Sequence, residues 1–390
     1  MFFEKLLAAI DEGEGGNVIE EIGPETLYTR RAFLTTTALA AMGVACGRIG
    51  SERSLIRIFH APKIFARRAD DFTANICGTF NAEVKHARYR LNAGAWLKLG
   101  QAPPRVPSPL FTVELSAAEL RAGRNSLEIE AAADGNKPEL KVIRFEYDPT
   151  PITLPIKVDW SSHDLDVHDG HWENVVIDGR NCVRPIPGSE DYDRIIMVCG
   201  AFAGGRRIET DVVFRDHVVA ERPFGFGVLP LWGGRPDDPG VSPRRGWNFS
   251  LAWFYSHYNG AGSEFSYKYG DAPPAWISSY RDLTLEAGRR YFLVIEAWPE
   301  DDAAGQHCRY RQRLKWWPEN RPVPDEWIEL TDTEGAPIPP REYSVALIAH
   351  RSQVEFGPVT VAPCKPSVLT RDVGPMSNQP GNVRERIGSE

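Results

Sequence analysis

The sequence lacks the usual carriers of several chemistries. It has no GxSxG elbow, P-loop, GxGxxG turn, HExxH pair or zinc-finger spacing. Acyl hydrolysis, nucleotide handling and zinc-dependent cleavage therefore lose their common signatures. The cysteines at 46, 77, 182, 199, 308 and 364 include no CxxC pair, which removes support for a zinc ribbon or a thioredoxin-like motif. No apolar run reaches the roughly 20 residues that span a bilayer. Lys and Arg number 45 against 53 Asp and Glu, for a net charge of −8. That balance argues against a general nucleic-acid binder, which needs a basic surface. Methionine is scarce at 4, and helical periodicity is almost missing. In contrast, 34 Gly and 31 Pro accompany 11 Trp, 12 Tyr and 18 Phe in 390 residues. Many turns and many aromatic residues predict a β-rich chain, long enough for two domains.

The N-terminal part reads as a targeting segment. Thr29-Arg30-Arg31-Ala32-Phe33-Leu34 precedes a weakly apolar stretch ending at Ala45. It resembles a twin-arginine export signal, with Thr35 where that pattern has lysine. The resemblance implies export to the periplasm or beyond through the twin-arginine machinery, with Arg30 and Arg31 as its recognition residues. Gly43-Val44-Ala45 offers a cleavage site, and Cys46 offers an alternative lipid anchor, although Gly43 departs from the lipoprotein pattern. Residues 1–46 are thus set aside as the export region, and no transmembrane anchor is expected. An oxidising compartment would permit one or two disulfides, but scattered cysteines in so large a chain predict mostly buried free thiols.

Residues 54–148 show short alternating runs separated by turns. Ser126-Leu127-Glu128-Ile129-Glu130-Ala131 has the period of a half-buried strand, and Asp134-Gly135-Asn136 is a hairpin turn. Tyr89, Leu91, Asn92, Gly94, Trp96, Leu120, Gly123 and Asn125 outline a hairpin and a late turn. The stretch resembles the immunoglobulin-like modules of exported bacterial proteins, which implies a supporting sandwich without chemistry of its own. Residues 149–158 form a stiff proline-rich linker.

Residues 159–364 hold ten of the eleven tryptophans and a succession of strand-length runs without helices, which predicts a two-sheet jelly roll. Several segments recur in order: Asp169-Gly170-His171-Trp172, Glu209-Thr210-Asp211-Val212, Leu231-Trp232-Gly233-Gly234, Leu314-Lys315-Trp316-Trp317-Pro318, Glu326-Trp327 and Phe356-Gly357-Pro358-Val359. They resemble the concanavalin A-like lectin/glucanase superfamily in its laminin-G-like branch. The resemblance implies an all-β chain, an immunoglobulin-like sandwich followed by a concanavalin A-like jelly roll. It leaves open lectins, hydrolases, lyases and adhesion modules. Residues 365–390 are rich in Pro, Gly, Ser and charge, and read as disordered.

Alternation sorts the candidate residues. In the run 206–215, Glu209 and Asp211 share a face with Arg207, and such paired carboxylates, together with Glu296, are what a glycoside hydrolase needs. A lyase would use His257 or a tyrosine as base and an arginine against a uronate. In the run 247–258, Trp253, Tyr255 and His257 share a face, while Arg309, Arg311, Arg313 and Lys315 share one in 308–317. Aromatic rings stack on sugars and arginines grip carboxylate or sulfate, so these two stripes together predict a glycan groove on the concave sheet. The loop from Trp232 to Trp247, with Arg235, Arg244 and Arg245, would border it. His163 to His171 packs three histidines with Asp164, Asp166 and Asp169, and these carboxylates are the candidates for a structural calcium. The leading expectation is an exported glycan-binding protein. The alternatives are a polysaccharide hydrolase or lyase on the same face, and an adhesion module with protein partners.

Overall fold

The computed structural model describes residues 54–364 except 70, 100–109, 136, 162–163, 188–192, 219–221, 237–243, 245, 247, 257–262, 270–278, 282–284, 302–307 and 331–341. The export motif, Cys46 and the 365–390 tail lie outside these residues. Among the described residues every regular element is a strand. The fold is all-β, and its larger part is a two-sheet jelly roll.

The first sandwich contains β1 (Ile56–His60), β2 (Ile64–Phe65), β3 (Ala74–Phe80), β4 (Val84–Leu91), β5 (Leu97–Lys98), β6 (Leu110–Leu115), β7 (Gly123–Ala133) and β8 (Glu139–Tyr147). They form a sheet β1-β3-β6 and a sheet β2-β8-β7-β4-β5. Strand β7 shows the driving pattern: Asn125, Leu127, Ile129, Ala131 and Ala133 are buried while the residues between them are not. A strand turns successive side chains to opposite faces, so this alternation commits one face to the core. That core includes Phe65, Ile76, Phe80, Phe111, Val113, Leu127 and Phe145.

The larger sandwich contains β9 (Ile156–Val158), β10 (Val167–Asp169), β11 (Trp172–Ile177), β12 (Arg180–Pro185), β13 (Asp193–Met197), β14 (Arg206–His217), β15 (Gly225–Trp232) and β16 (Phe249–Ser256). It continues with β17 (Ser263–Tyr269), β18 (Ser279–Arg281), β19 (Arg290–Asp301), β20 (Cys308–Pro318), β21 (Ile328–Leu330), β22 (Ser344–His350), β23 (Ser352–Phe356) and β24 (Val359–Pro363). Seven strands run β10-β13-β22-β15-β16-β17-β18. Nine others run β11-β12-β23-β14-β19-β20-β21, with β24 on β14 and β9 on β24. The last residues of the proline-rich linker are therefore a strand of the larger sandwich, because Ile156, Lys157 and Val158 pair with Val361, Thr360 and Val359.

Between the two large sheets lies a core of Trp160, Trp172, Phe226, Phe254, Leu293, Ile295, Leu314, Leu347 and Phe356. A second apolar cluster covers the other face of the seven-stranded sheet, with Phe72, Ile195, Leu229, Trp232, Leu251, Trp253, Tyr255 and Ile348. Strands β15, β16 and β22 are consequently buried along their whole length. Cys77, Cys182 and Cys199 are free thiols.

The two sandwiches meet along a polar seam. Gly234 carries a φ of +90° and bridges Asp71, where a Cβ would stand 1.8 Å from the Asp71 carbonyl. Only glycine tolerates both the backbone and the approach. The side chain of Arg68 is wholly buried. It stacks over Phe72 with 4.3 Å to the ring centroid, donates to Thr73 O at 3.0 Å, and pairs with Asp166 across the seam. Arg67 grips both oxygens of Glu342, at 2.6 and 3.1 Å. His168 donates from Nε2 to Thr73 O at 2.9 Å, and Asn75 donates to His168 O at 3.3 Å. Arg235 pairs with Asp169, and the Arg244 amide donates to Glu114.

His60 accepts the Trp172 amide proton on Nε2 at 3.0 Å, which requires the neutral ring. Burial, with His171 nearby, lowers its pKa from the ordinary 6.5 to about 3. Burial also lowers His168, helped by Arg68 and Arg235, and lowers His171, helped by Arg57. Below about pH 6.5 the unfolded chain takes up protons that the folded histidines refuse, so their contribution to stability is present above that pH and lost as pH falls toward 3. For His60 the slope approaches about 1.4 kcal/mol per pH unit. Denaturant unfolding between pH 7 and pH 4 should show a steeper decline for the natural chain than for His60→Gln, whose side chain does not titrate. Equal slopes would remove His60 from the acid response.

Candidate functional site

The outer face of the nine-stranded sheet carries the accessible chemistry. Along β14, Ile208, Val212 and Phe214 enter the core, so Arg207, Glu209 and Asp211 face outward. Register then builds cross-strand rows. Arg207 stands opposite Glu296, which stands opposite Arg313. Glu209 stands opposite Val294, and Val294 opposite Lys315. Trp298 stands opposite Arg311.

Glu296 anchors this face. Its side chain is 7% exposed and takes Arg207 Nη1 at 2.7 Å and Arg313 Nε at 2.6 Å. One buried carboxylate thus fixes two guanidinium groups, and charge-assisted bonds of this kind are among the strongest available to side chains. Glu209 differs. It is 49% exposed and touches Arg207 Nε at 2.6 Å. Asp211 pairs with Arg180, and burial raises its pKa against the pull of Arg180 and Arg290.

Two half-buried indoles lie over these charges. Trp327 receives Arg313 at 4.3 Å, Lys315 at 4.9 Å and Arg207 at 5.9 Å from its ring centroid. Trp298 receives Arg313 at 5.3 Å. Lys315 donates to Pro324 O at 2.6 Å and Asp325 O at 3.0 Å, which ties down the turn that delivers Trp327. Further along, Phe292 stacks on Trp317 with centroids 5.5 Å apart. Cation–π geometry holds the rings in place while leaving part of each exposed.

The two stripes expected to form one groove do not converge. The alternate residues of β16 and β20, Phe254 and Leu314, meet in the core between the sheets. Trp253 and Tyr255 therefore lie on the far side of one sheet, and Arg311, Arg313 and Lys315 on the far side of the other. Trp253 is 0% exposed and Tyr255 4%, stacked at 4.9 Å, and Trp232 is likewise buried. Trp253 packs against Gly227, where a Cβ would come within 2.5 Å of it. These three residues are core, which corrects their assignment as ligand contacts. His257 and Arg245 lie outside the described residues. Arg309 sits in register opposite Glu300, and its side chain is outside the description. Arg235 and Arg244 of the bordering loop serve the seam instead.

The three expected hydrolytic carboxylates do share one face, but each is engaged by arginine: Glu209 by Arg207, Asp211 by Arg180, and Glu296 by Arg207 and Arg313. The calcium assignment is corrected as well. Asp164 accepts the Lys63 amide at 3.3 Å, Asp166 pairs with Arg68, and Asp169 pairs with Arg235. The three carboxylates are divided among separate partners, and among the described residues no group of three or more His, Cys, Asp or Glu converges on a metal position.

Sequence reading passed over Trp298 and Trp327 as site residues. Trp298 continues the strand that carries Glu296, two residues on, so period-2 alternation alone places both on one face. Trp327 reaches the face through a turn, and no local pattern announces that. A second constellation also escaped notice: His350 Nδ1 and Asp193 Oδ1 are 2.6 Å apart, both buried, with the Tyr255 ring 6.3 Å from the imidazole. It lies on the covered face of the seven-stranded sheet.

No family model matches the chain, and no curated protein matches it in sequence. Among solved structures, the carbohydrate binding module CBM66 from Bacillus subtilis is similar at 16% identity, over 51% of this chain and 94% of that one, with a TM-score of 0.30. A Bacillus subtilis protein with a galectin-like fold is similar at 10% identity, over 53% and 94%, with a TM-score of 0.36. The legume lectin-like domain from Entamoeba histolytica is similar at 9% identity, over 50% and 91%, with a TM-score of 0.31.

The contrast between core and surface can be measured. Trp253→Ala should cost about 3–5 kcal/mol, the usual penalty for emptying a buried aromatic site. Glu209→Gln should stay within about 0.5 kcal/mol, as surface changes do. Chemical denaturation of both variants checks this, and a near-neutral Trp253→Ala would return that residue to the list of surface contacts.

Proposed function

We propose that this chain is an exported glycan-recognising protein and that the outer face of the nine-stranded sheet is its binding surface. The observation that carries the reading is the pair of half-buried indoles, Trp298 and Trp327, held over Arg207, Arg313 and Lys315. A sugar offers an apolar face to an indole and hydroxyl groups to the charged side chains around it. The rings are already fixed by their cations, so little side-chain freedom remains to be lost on binding. Recognition fits this face better than hydrolysis does. A hydrolase needs one carboxyl group as acid and another as base or nucleophile, whereas the carboxylates here neutralise arginines.

Export rests on the Arg30-Arg31 motif. Replacing both residues with lysine should retain the chain in the cytoplasm, as read by cell fractionation. Unchanged export would end the twin-arginine reading.

Binding is tested with the full chain on a polysaccharide panel by affinity electrophoresis and calorimetry. At least one glycan should bind, and Trp298→Ala with Trp327→Ala should weaken it tenfold or more, at about 1.4 kcal/mol per factor of ten. A panel without any binder, or binding that survives the double replacement in a folded variant, would overturn the assignment.

A further inference from the structure

We infer that this surface selects carboxylated glycans, polyuronates in particular, and that Glu209 occupies the place of the sugar carboxylate until one arrives. The inference rests on the glycan reading above and adds the class of sugar.

The charges around Trp327 are unequal in kind. Glu296 is buried and bonded to two guanidinium groups, so it belongs to the framework. Removing it would leave two cations facing one another across β19, opposite the same residue in register. Glu209 is half exposed, and Arg207, its ion partner, is itself 37% exposed. Exposed ion pairs add little to stability, so such a contact exchanges readily. Glu209 also lies on the same strand as Arg207, two residues away and on the same face. Its carboxylate therefore reaches the arginine by extending along the surface, and another carboxylate approaching from solvent can take over the same Nε donor.

Lys315 supplies a second charge that the pair does not cancel. Its ammonium group rests on two backbone carbonyls, those of Pro324 and Asp325. Three cations stack on Trp327 (Arg207, Arg313 and Lys315), and Glu296 and Glu209 are the carboxylates paired with its arginines. If Glu209 turns away to solvent, the Nε edge of Arg207 is freed while Glu296 keeps its Nη1. A neutral sugar would use the rings and leave that freed donor without a carboxylate. A uronate uses both: its pyranose face stacks on indole, and its carboxylate meets the planar edge of Arg207, which suits carboxylate better than a spherical charge does. No bond is made or broken in this exchange. One carboxylate replaces another.

The experiment compares the natural chain with Glu209→Gln and Arg207→Gln on polygalacturonate, alginate, heparin and a neutral glucan, at two salt concentrations. Unfolding midpoints confirm that each variant is folded. The natural chain should bind the polyuronates at least tenfold more tightly than the neutral glucan, with binding weakened by salt. Glu209→Gln should tighten polyuronate binding about threefold to tenfold, because it removes the internal competitor. Arg207→Gln should weaken polyuronate binding about tenfold, in line with the loss of a charge-assisted bond. A gain of affinity on removing an acidic side chain is not what a purely structural Glu209 would produce. Three results would overturn the inference: neutral glucan bound as tightly as polyuronate, polyuronate affinity unmoved or reduced in Glu209→Gln, or heparin matching the polyuronates, which would assign the surface to sulfate. Binding to neutral glucan alone, lost with Trp298 and Trp327, defeats the inference and leaves the glycan reading standing. Absence of binding to any polysaccharide defeats both.

Discussion

The buried guanidinium of Arg68 is the constraint on which the two-sandwich arrangement depends. A cation without solvent must find a counter-charge and hydrogen-bond acceptors, or the burial costs several kcal/mol. Arg68 finds them on both sides of the seam: Ala66 O and Thr73 O within its own sandwich, and Asp166 from the other. Phe72 lies flat beneath it and extends into the apolar cluster on the far face of the seven-stranded sheet. Separating the sandwiches would strand both a buried arginine and an apolar sheet face. The lowered pKa of His168 follows in part from the same arrangement, since burial first, and then Arg68 and Arg235, make a further positive charge there unfavourable.

That docking also decides which surface is open. Along β15, β16 and β22 both faces of the seven-stranded sheet are buried, one by the opposing sheet and the other by the cluster that includes Phe72. Among the described residues, an apolar cluster covers the nine-stranded sheet on its inner face alone. Its outer face can therefore carry arginine, lysine and carboxylate without burying them all, and β14 sets their order because it pairs with β19 on one side and with β23 and β24 on the other. Within this face burial grades the roles. Glu296, near the middle of the charged row, is fixed by two partners, and Glu209, toward solvent, by the arginine two residues before it.

Much of this was legible in the amino-acid order. The alternation in 206–215 predicts the faces of β14, and the strand-length runs without helical period predict an all-β chain. What was not legible is which outer face would be covered. Trp253 and Tyr255 alternate as a surface stripe would, but a strand buried on both faces gives the same pattern when the covering residues come from elsewhere in the chain. Here Phe72 lies some 180 residues earlier than Trp253 in sequence. The calcium expectation failed for a related reason: Asp166 and Asp169 are clustered in sequence, yet each answers an arginine brought in by folding, Arg68 and Arg235. Ion pairs between distant segments have no local signature. Trp327 was missed because its position depends on the turn held by Lys315, not on any period.

The annexed linker has a consequence for direction. Ile156–Val158 is zipped to β24, Arg67 donates to Pro149 O at 3.0 Å, and the seam closes beside it. The junction thus has no slack in which to swivel. A polymer bound on the indole face would meet it at a set bearing relative to the first sandwich, and each chain oriented alike would present its row of charges along the same compass line.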